Sequence, residues 1–186
     1  IAMLLWNQAP FLSMQLLWIN LVTDSLPAIA LGMEAIDPNV MDRQPKPKKE
    51  GIFANGLGIQ VVLQGVMFAI LSLIGFRVGS QVTGAIEGGR TMAFLVLAFA
   101  QILHAYNMRS HKSLFKTGLF TNKYLNLASL VSTALMCLVL FVPPIASVFG
   151  LIRLPMKLYM LGFGLAVVPV VVLEIVKAFG LVKHHK

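Results

Sequence analysis

Long apolar runs, separated by short polar segments, set the pattern of this chain. Several of the runs have about 20 residues, the length that an α-helix needs to cross the hydrocarbon core of a bilayer. They predict spanning helices at residues 11–32, 56–78, 91–108, 124–142 and 157–179. Residues 1–10 are expected to form the end of a preceding helix and an outer turn at Pro10. The pattern therefore predicts an all-α integral membrane fold, a bundle of about five transmembrane helices with short loops.

An aspartate, Asp24, interrupts the first apolar run. A charged side chain at mid-membrane costs about 2.5–3.5 kcal/mol on insertion scales, so such residues are functional candidates. Asn20 and Thr23 share one side of a helix with it. Pro27 removes a backbone donor and weakens the hydrogen bonding of the Thr23 carbonyl. Three side-chain oxygens beside a loosened carbonyl form part of a hard-cation site; the alternative is an aspartate that only hydrogen-bonds inside a helix bundle.

Gln101 interrupts the third apolar run, where its amide could offer a neutral carbonyl oxygen to the same ion. The alternative, which the sequence leaves open, is an interhelical hydrogen bond worth about 0.6–2 kcal/mol. The predicted metal-ligating set is thus Asn20, Thr23, Asp24 and Gln101. Because calcium takes about 6–8 oxygen ligands, other helices must complete its shell. The sequence has no Gly-rich phosphate loop, no HExxH and no Cys/His zinc set, and so predicts no catalytic or cofactor-binding residue.

The composition excludes a soluble domain. The chain is 58% hydrophobic and 12% charged, whereas soluble domains are about a quarter charged. Its net charge of +8 does not indicate nucleic-acid binding, because the basic residues cluster in short loops as topology determinants do. Eleven of the 15 Lys and Arg residues lie on one predicted side of the membrane. This asymmetry predicts that residues 33–55, residues 109–123 and the tail 180–186 are cytoplasmic.

The segment 33–55 combines three prolines with charges of both signs. It is either a solvated linker or a docking surface for a cytoplasmic domain, to which proline stiffness and mixed charge are suited. The chain opens at Ile1, inside apolar sequence, and we interpret it as a fragment of a longer protein.

The run Gln15–Gly32, which reads QLLWINLVTDSLPAIALG, resembles the sixth transmembrane helix of P-type calcium-transporting ATPases. The segment Asp37–Pro45, with its Met-Asp-Arg-x-Pro element, resembles the cytoplasmic loop that follows it. The resemblance covers nearly the whole chain and implies the end of helix five followed by helices six to ten. It implies that Asn20, Thr23 and Asp24 bind calcium in a partly unwound helix. Sodium/potassium and gastric proton pumps usually have Asp at the position of Asn20, so this residue favours calcium, while Ser25 stands where the family often has Gly.

Gln101 occupies the position of the eighth-helix ligand, a Glu in sarcoplasmic-reticulum-type pumps and a Gln in plasma-membrane-type pumps. The resemblance associates Gln with the loss of one of two calcium sites. It also implies a parent pump, a multi-pass protein of a bacterial-type plasma membrane or an organelle membrane, with calcium as the transported ion. The implied partners are the lipid bilayer, the cytoplasmic phosphorylation domain and the first five transmembrane helices, with no nucleic acid.

ATP and Mg²⁺ would bind only in the missing cytoplasmic domains of that pump, so the fragment alone is expected to be inactive. The alternatives are a P-type pump for another cation, manganese or sodium, and a stand-alone channel-like or regulatory membrane module.

Overall fold

The structure, a computed structural model, describes residues 2–34, 57–109, 118 and 121–178. Most of the expected coupling loop 33–55, most of the loop 109–123 and the tail 180–186 lie outside the described residues. No strand occurs in the described part of the chain, which confirms the all-α class. The helices are α1 (Ala2–Trp6), α2 (Ser13–Trp18), a π-helix (Ile19–Ser25), α3 (Leu26–Gly32), α4 (Leu57–Thr83), α5 (Ile86–Met108), α6 (Lys123–Phe141), α7 (Pro143–Val148) and α8 (Met156–Ala178).

Five helices within these ranges are long and apolar enough to cross a membrane. The first is continuous from Ser13 to Gly32 and joins α2, the π-helix and α3; we call it the composite helix. The other four are α4, α5, α6 and α8, which have 27, 23, 19 and 23 residues. At a rise of about 1.5 Å per residue, each is long enough to cross most or all of a bilayer core of about 30 Å.

Helix α5 lies at the centre of the bundle. Residues Met92–Leu95 are fully buried, and the side chains packed around α5 include Met136 and Val139 of α6 and Leu158 of α8. Its mean hydropathy is 1.4, compared with 2.2 for α4 and α8. A central helix meets other helices more than lipid, so it can carry more polar and small residues than its neighbours.

The hairpin between α4 and α5 is tighter than the sequence predicts. The expected helix ends at residues 78 and 91 move to Thr83 and Ile86, which leaves Gly84, with φ +69°, and Ala85 as the turn. The cause is that a glycine in this stretch packs helices instead of forming a loop. A Cβ on Gly79 would lie 2.5 Å from the carbonyl oxygen of Gly88, so the small residues permit a close helix approach.

Candidate cation site

The middle of the composite helix, Ile19–Ser25, is wound as a π-helix, and we call it the π segment. A π-helix pairs each carbonyl with the N–H five residues later, and such turns are frequent at functional sites. In this register the carbonyl of Val22 would pair with the nitrogen of Pro27, which has no hydrogen. The hydroxyl of Ser132, on α6, instead donates to that carbonyl at 2.7 Å. The sequence predicted that Pro27 weakens the hydrogen bonding of the Thr23 carbonyl. In the π register the carbonyl that faces Pro27 is that of Val22, the preceding residue.

A helical wheel puts positions 20, 23, 24 and 27 on one side of the helix, but in the structure they lie on two different surfaces. Asn20 and Asp24 are exposed, whereas Thr23 and Pro27 are buried. Residues four apart share a face, but on an α-helical wheel the second pair is rotated by about 60° from the first, so the polar stripe straddles the edge of the bundle. The structure therefore places the carboxylate and one amide on the open face of the π segment and the hydroxyl on its inner face.

Thr23 and Gln101 meet across the interface between the composite helix and α5. The Thr23 hydroxyl lies 2.8 Å from Oε1 of Gln101 and 2.8 Å from the carbonyl oxygen of Ile19. A hydroxyl has one proton, so it donates to one of these acceptors at a time. The structure brings these two predicted site residues together, and the contact is the interhelical kind that was the alternative for Gln101.

Side-chain oxygens lie on the π segment and beside it, and oxygen is the ligand type that a hard cation takes. They comprise the carboxylate of Asp24, the amide oxygen of Asn20 and, on the inner face, the hydroxyl of Thr23 and the amide of Gln101. Among the described residues no three His, Cys, Asp or Glu side chains come together in a way that could hold a metal ion. With four oxygen-bearing side chains, the set is smaller than the shell of about six or more oxygens that a hard divalent cation takes.

A polar cluster that the sequence did not predict closes the end of the composite helix; its members are Glu34, Arg109 and Asn122, and we call it the Glu34 cluster. Arg109 donates to both carboxylate oxygens of Glu34, at 2.8 and 3.0 Å, and its side chain is only 1% exposed. Asn122 donates to Glu34 at 2.6 Å and to the carbonyl of Ala30 at 3.3 Å. The hydrogen bond from Arg109 holds the pKa of Glu34 below its usual range, although partial burial opposes the shift.

The opposite end of the composite helix is fixed by Gln15. This side chain is fully buried, its Nε2 donates to the carbonyl of Phe149 at 2.9 Å, and its Oε1 accepts from the backbone of Leu12 at 3.0 Å. A glutamine in an apolar run is a visible sequence signal, since a buried amide needs partners. Its partner is 134 residues away, which is why the sequence did not reveal the contact.

The fold defines a multi-pass helical membrane protein in which one span is partly wound as a π-helix. Comparison with known proteins identifies its family: the family model for the C-terminus of cation-transporting ATPases matches residues 8–179. The chain belongs to this family.

The relatives to which this chain is similar are much longer proteins. It is 36% identical over 95% of its length to calcium-transporting ATPase 1 of Bacillus cereus. It is 38% identical over 90% of its length to the calcium-transporting ATPase of Bacillus subtilis, and 38% identical over 95% to calcium-transporting ATPase 1 of Lactococcus lactis. The chain spans 22%, 19% and 20% of these relatives respectively.

Proposed function

We propose that this chain is the C-terminal membrane part of an ATP-driven calcium pump and that its π segment contributes ligands to the transport site. The observation that carries the proposal is the exposed carboxylate of Asp24 on a π-wound turn within an apolar span. A charge in that position is costly against lipid, so it calls for a protein or ion partner. The relatives whose names specify calcium support the choice of ion.

The chemistry divides among the residues according to their surfaces. Asp24 would neutralise charge on the transported calcium, and Asn20 would add a neutral oxygen from the same exposed face. Thr23 supplies a hydroxyl whose position is set by its contact with Gln101. Because these groups are fewer than the 6–8 oxygens that calcium takes, the first five transmembrane helices of the pump would complete the shell.

The remaining parts of the pump would supply the energy. ATP and Mg²⁺ would bind in the cytoplasmic domains, and residues 33–55 would couple phosphorylation there to movement of the composite helix. Mixed charge and prolines in that segment support a docking role. The proposed orientation places this segment, residues 109–123 and the C-terminal tail in the cytoplasm, because most basic residues lie there.

The test is Asp24→Asn in the intact pump that carries this chain, with Glu87→Gln as the matched control. Glu87 lies in the first turn of α5, away from the π segment. We expect Asp24→Asn to abolish calcium-dependent phosphorylation by ATP and to keep phosphorylation by inorganic phosphate without calcium, which shows that the protein folds. Glu87→Gln should retain both. Calcium transport that persists in Asp24→Asn would overturn the proposal, and phosphorylation that depends on manganese or sodium instead would change the ion.

A further inference from the structure

We propose that Ser132 is a positioning residue for the cation site: its hydroxyl holds the carbonyl of Val22 and thereby keeps the π segment in its register. The inference rests on the proposed function, because it assigns Ser132 a role through the ligands on that segment. Ser132 lies on α6 and touches the backbone of the composite helix, 110 residues away in sequence. It would not bind the ion itself.

The first step concerns the carbonyl of Val22. The π register directs it to the nitrogen of Pro27, which has no proton to donate. Val22 is 3% exposed, so water cannot readily replace the lost partner. A buried backbone carbonyl without a donor keeps the full penalty of its removal from water. The bond from Ser132 removes this penalty and stabilises the π winding against an ordinary α-helix.

The second step concerns Ser132 itself. A serine within a helix commonly bonds back to the carbonyl four residues earlier in its own helix. Ser132 is fully buried and donates instead to the neighbouring helix at 2.7 Å. Asn122, the residue that caps the start of α6, also donates to the composite helix, to the carbonyl of Ala30 at 3.3 Å. Helix α6 therefore holds two backbone carbonyls of the composite helix, about two turns apart.

The third step connects this contact to the ligands. Val22 directly precedes Thr23 and Asp24. Without the Ser132 hydroxyl, the Val22 carbonyl regains a partner most easily by taking the N–H of Leu26, four residues later, which converts this turn to the α register. That conversion rotates Asn20 and the residues before it relative to Asp24. The ion would then meet misplaced oxygens, so the loss should weaken calcium binding.

The experiment compares Ser132→Ala with Ser129→Ala in the intact pump. Ser129 is also buried on α6, but its hydroxyl has no hydrogen-bond partner, so its removal controls for the lost oxygen alone. We expect Ser132→Ala to raise the calcium concentration for half-maximal phosphorylation about three- to tenfold, the effect of one hydrogen bond. The maximal phosphoenzyme level and phosphorylation by inorganic phosphate should not change, and Ser129→Ala should match the wild type.

A double-mutant cycle with Pro27→Ala separates register from packing. Alanine at position 27 restores an N–H for the Val22 carbonyl, so Ser132→Ala should shift calcium affinity less in that background. Equal shifts in both backgrounds, or wild-type affinity in Ser132→Ala, would overturn the assignment. If Ser132→Ala does not fold, Ser132→Cys keeps the size with a weaker donor; its affinity must then fall below the wild type. Asp24→Asn distinguishes a failure of the proposed function, because its result does not depend on Ser132.

Discussion

Adjacent residues of the π segment serve two different surfaces. Thr23 is 2% exposed and contacts Gln101 on α5, whereas its neighbour Asp24 is exposed. Thr23 therefore fixes the segment to the bundle, and Asp24 remains available to groups beyond the described helices. The same division explains how one short segment could be held firmly and still present a charge to an ion.

The residue types of the proposed site could be read from the sequence, but the surfaces on which their side chains lie could not. An acid in an apolar run identifies Asp24, and spacing adds Asn20 and Thr23. The helical wheel that places these residues on one side assumes about 3.6 residues per turn, so it cannot show the π register. It also cannot show which side chains lie at the surface of the bundle. Ser132 could only have been noted as a small polar residue in an apolar run, because nothing local indicates its bond to Val22.

Gln101 provides a prediction at this scale. The change Gln101→Glu puts a carboxylate where the amide oxygen now accepts from Thr23, and a carboxylate binds calcium more strongly than an amide because it carries charge. We expect the calcium bound per phosphoenzyme to rise, up to about twofold. Isotopic calcium counted against phosphoenzyme in the intact pump measures this ratio.

The control for that prediction is Gln60→Glu, which makes the same chemical change on α4. It should leave the calcium count at the wild-type value. A count that stays unchanged in Gln101→Glu would show that position 101 does not limit the number of ions.

At the scale of elements, the composite helix is fixed at both ends and adjustable in the middle. Gln15 bonds to the carbonyl of Phe149 at one end, and the Glu34 cluster joins the other end to α5 and α6. Between them the π segment interrupts the regular α-helical hydrogen bonding. Movement that opens or closes the proposed site is therefore expected within the π segment, not as sliding of the whole helix.

The presence of the apolar helices could be predicted from the sequence because the length and hydropathy of a run are local properties. Five helices of the described residues are long and apolar enough to cross a membrane and overlap the five apolar runs, and the Thr83 end of α4 and the Ile86 end of α5 differ most from the expected bounds. The Glu34 cluster could not be predicted, since Glu34 is 75 residues from Arg109 and 88 from Asn122. Arg109 indicated only topology, as a basic loop residue, and the partners within the cluster depend on how three helices end side by side.

Removal of the Arg109 side chain should cost more stability than neutralisation of Glu34. The side chain of Arg109 is almost fully buried, and besides Glu34 it donates to the carbonyl of Gly118 and the hydroxyl of Thr121. Arg109→Ala removes these hydrogen bonds together with the guanidinium charge that faces Glu34, so we expect a loss of about 2–4 kcal/mol. Glu34→Gln keeps one acceptor at a partly exposed position and should cost about 1 kcal/mol. Thermal unfolding of the detergent-solubilised protein at neutral pH measures both.

The pH dependence of that difference follows from the lowered pKa of Glu34. Folding lowers the pKa of Glu34 from its ordinary value of 4.5, so the ionised carboxylate stabilises the protein at pH values above 4.5. This stabilisation is lost as the pH falls through the pKa of Glu34 in the folded protein. The stability gap between the wild type and Glu34→Gln should therefore narrow as the solution is acidified below about pH 4.5. A gap that is constant from neutral to acid pH would contradict an ionised Glu34 in the folded protein.

At the scale of the whole molecule, polar contacts gather at the two ends of the bundle. The Glu34 cluster lies at one end. At the other, Arg90 donates to the carbonyl of Ala9, and the ring of Trp6 lies under the guanidinium of Arg77 at 5.8 Å. Between the ends, the exposed face with Asn20 and Asp24 is the polar surface that the described helices leave open. A chain that spans about a fifth of its relatives' length is consistent with further helices covering that face.

The two ends of the bundle lead to a prediction about orientation. We propose that Met33 lies on the cytoplasmic side and Gln8 on the outer side, because most basic residues flank the end that holds Met33. Both side chains are exposed, so a cysteine at either position should react with a maleimide. Replacement of Cys137 by Ser, within an otherwise cysteine-free pump, removes the background.

A membrane-impermeant maleimide applied to intact cells should label Gln8→Cys if the pump lies in the plasma membrane, and should label Met33→Cys only after the cells are permeabilised. Sealed vesicles of known orientation give the same comparison for an organelle membrane. The composite helix crosses the bilayer once between these positions, so the two cysteines must react from opposite sides. Labelling of Met33→Cys from the outer side would reverse the orientation, and the segment 33–55 could then no longer couple a cytoplasmic phosphorylation domain to the π segment.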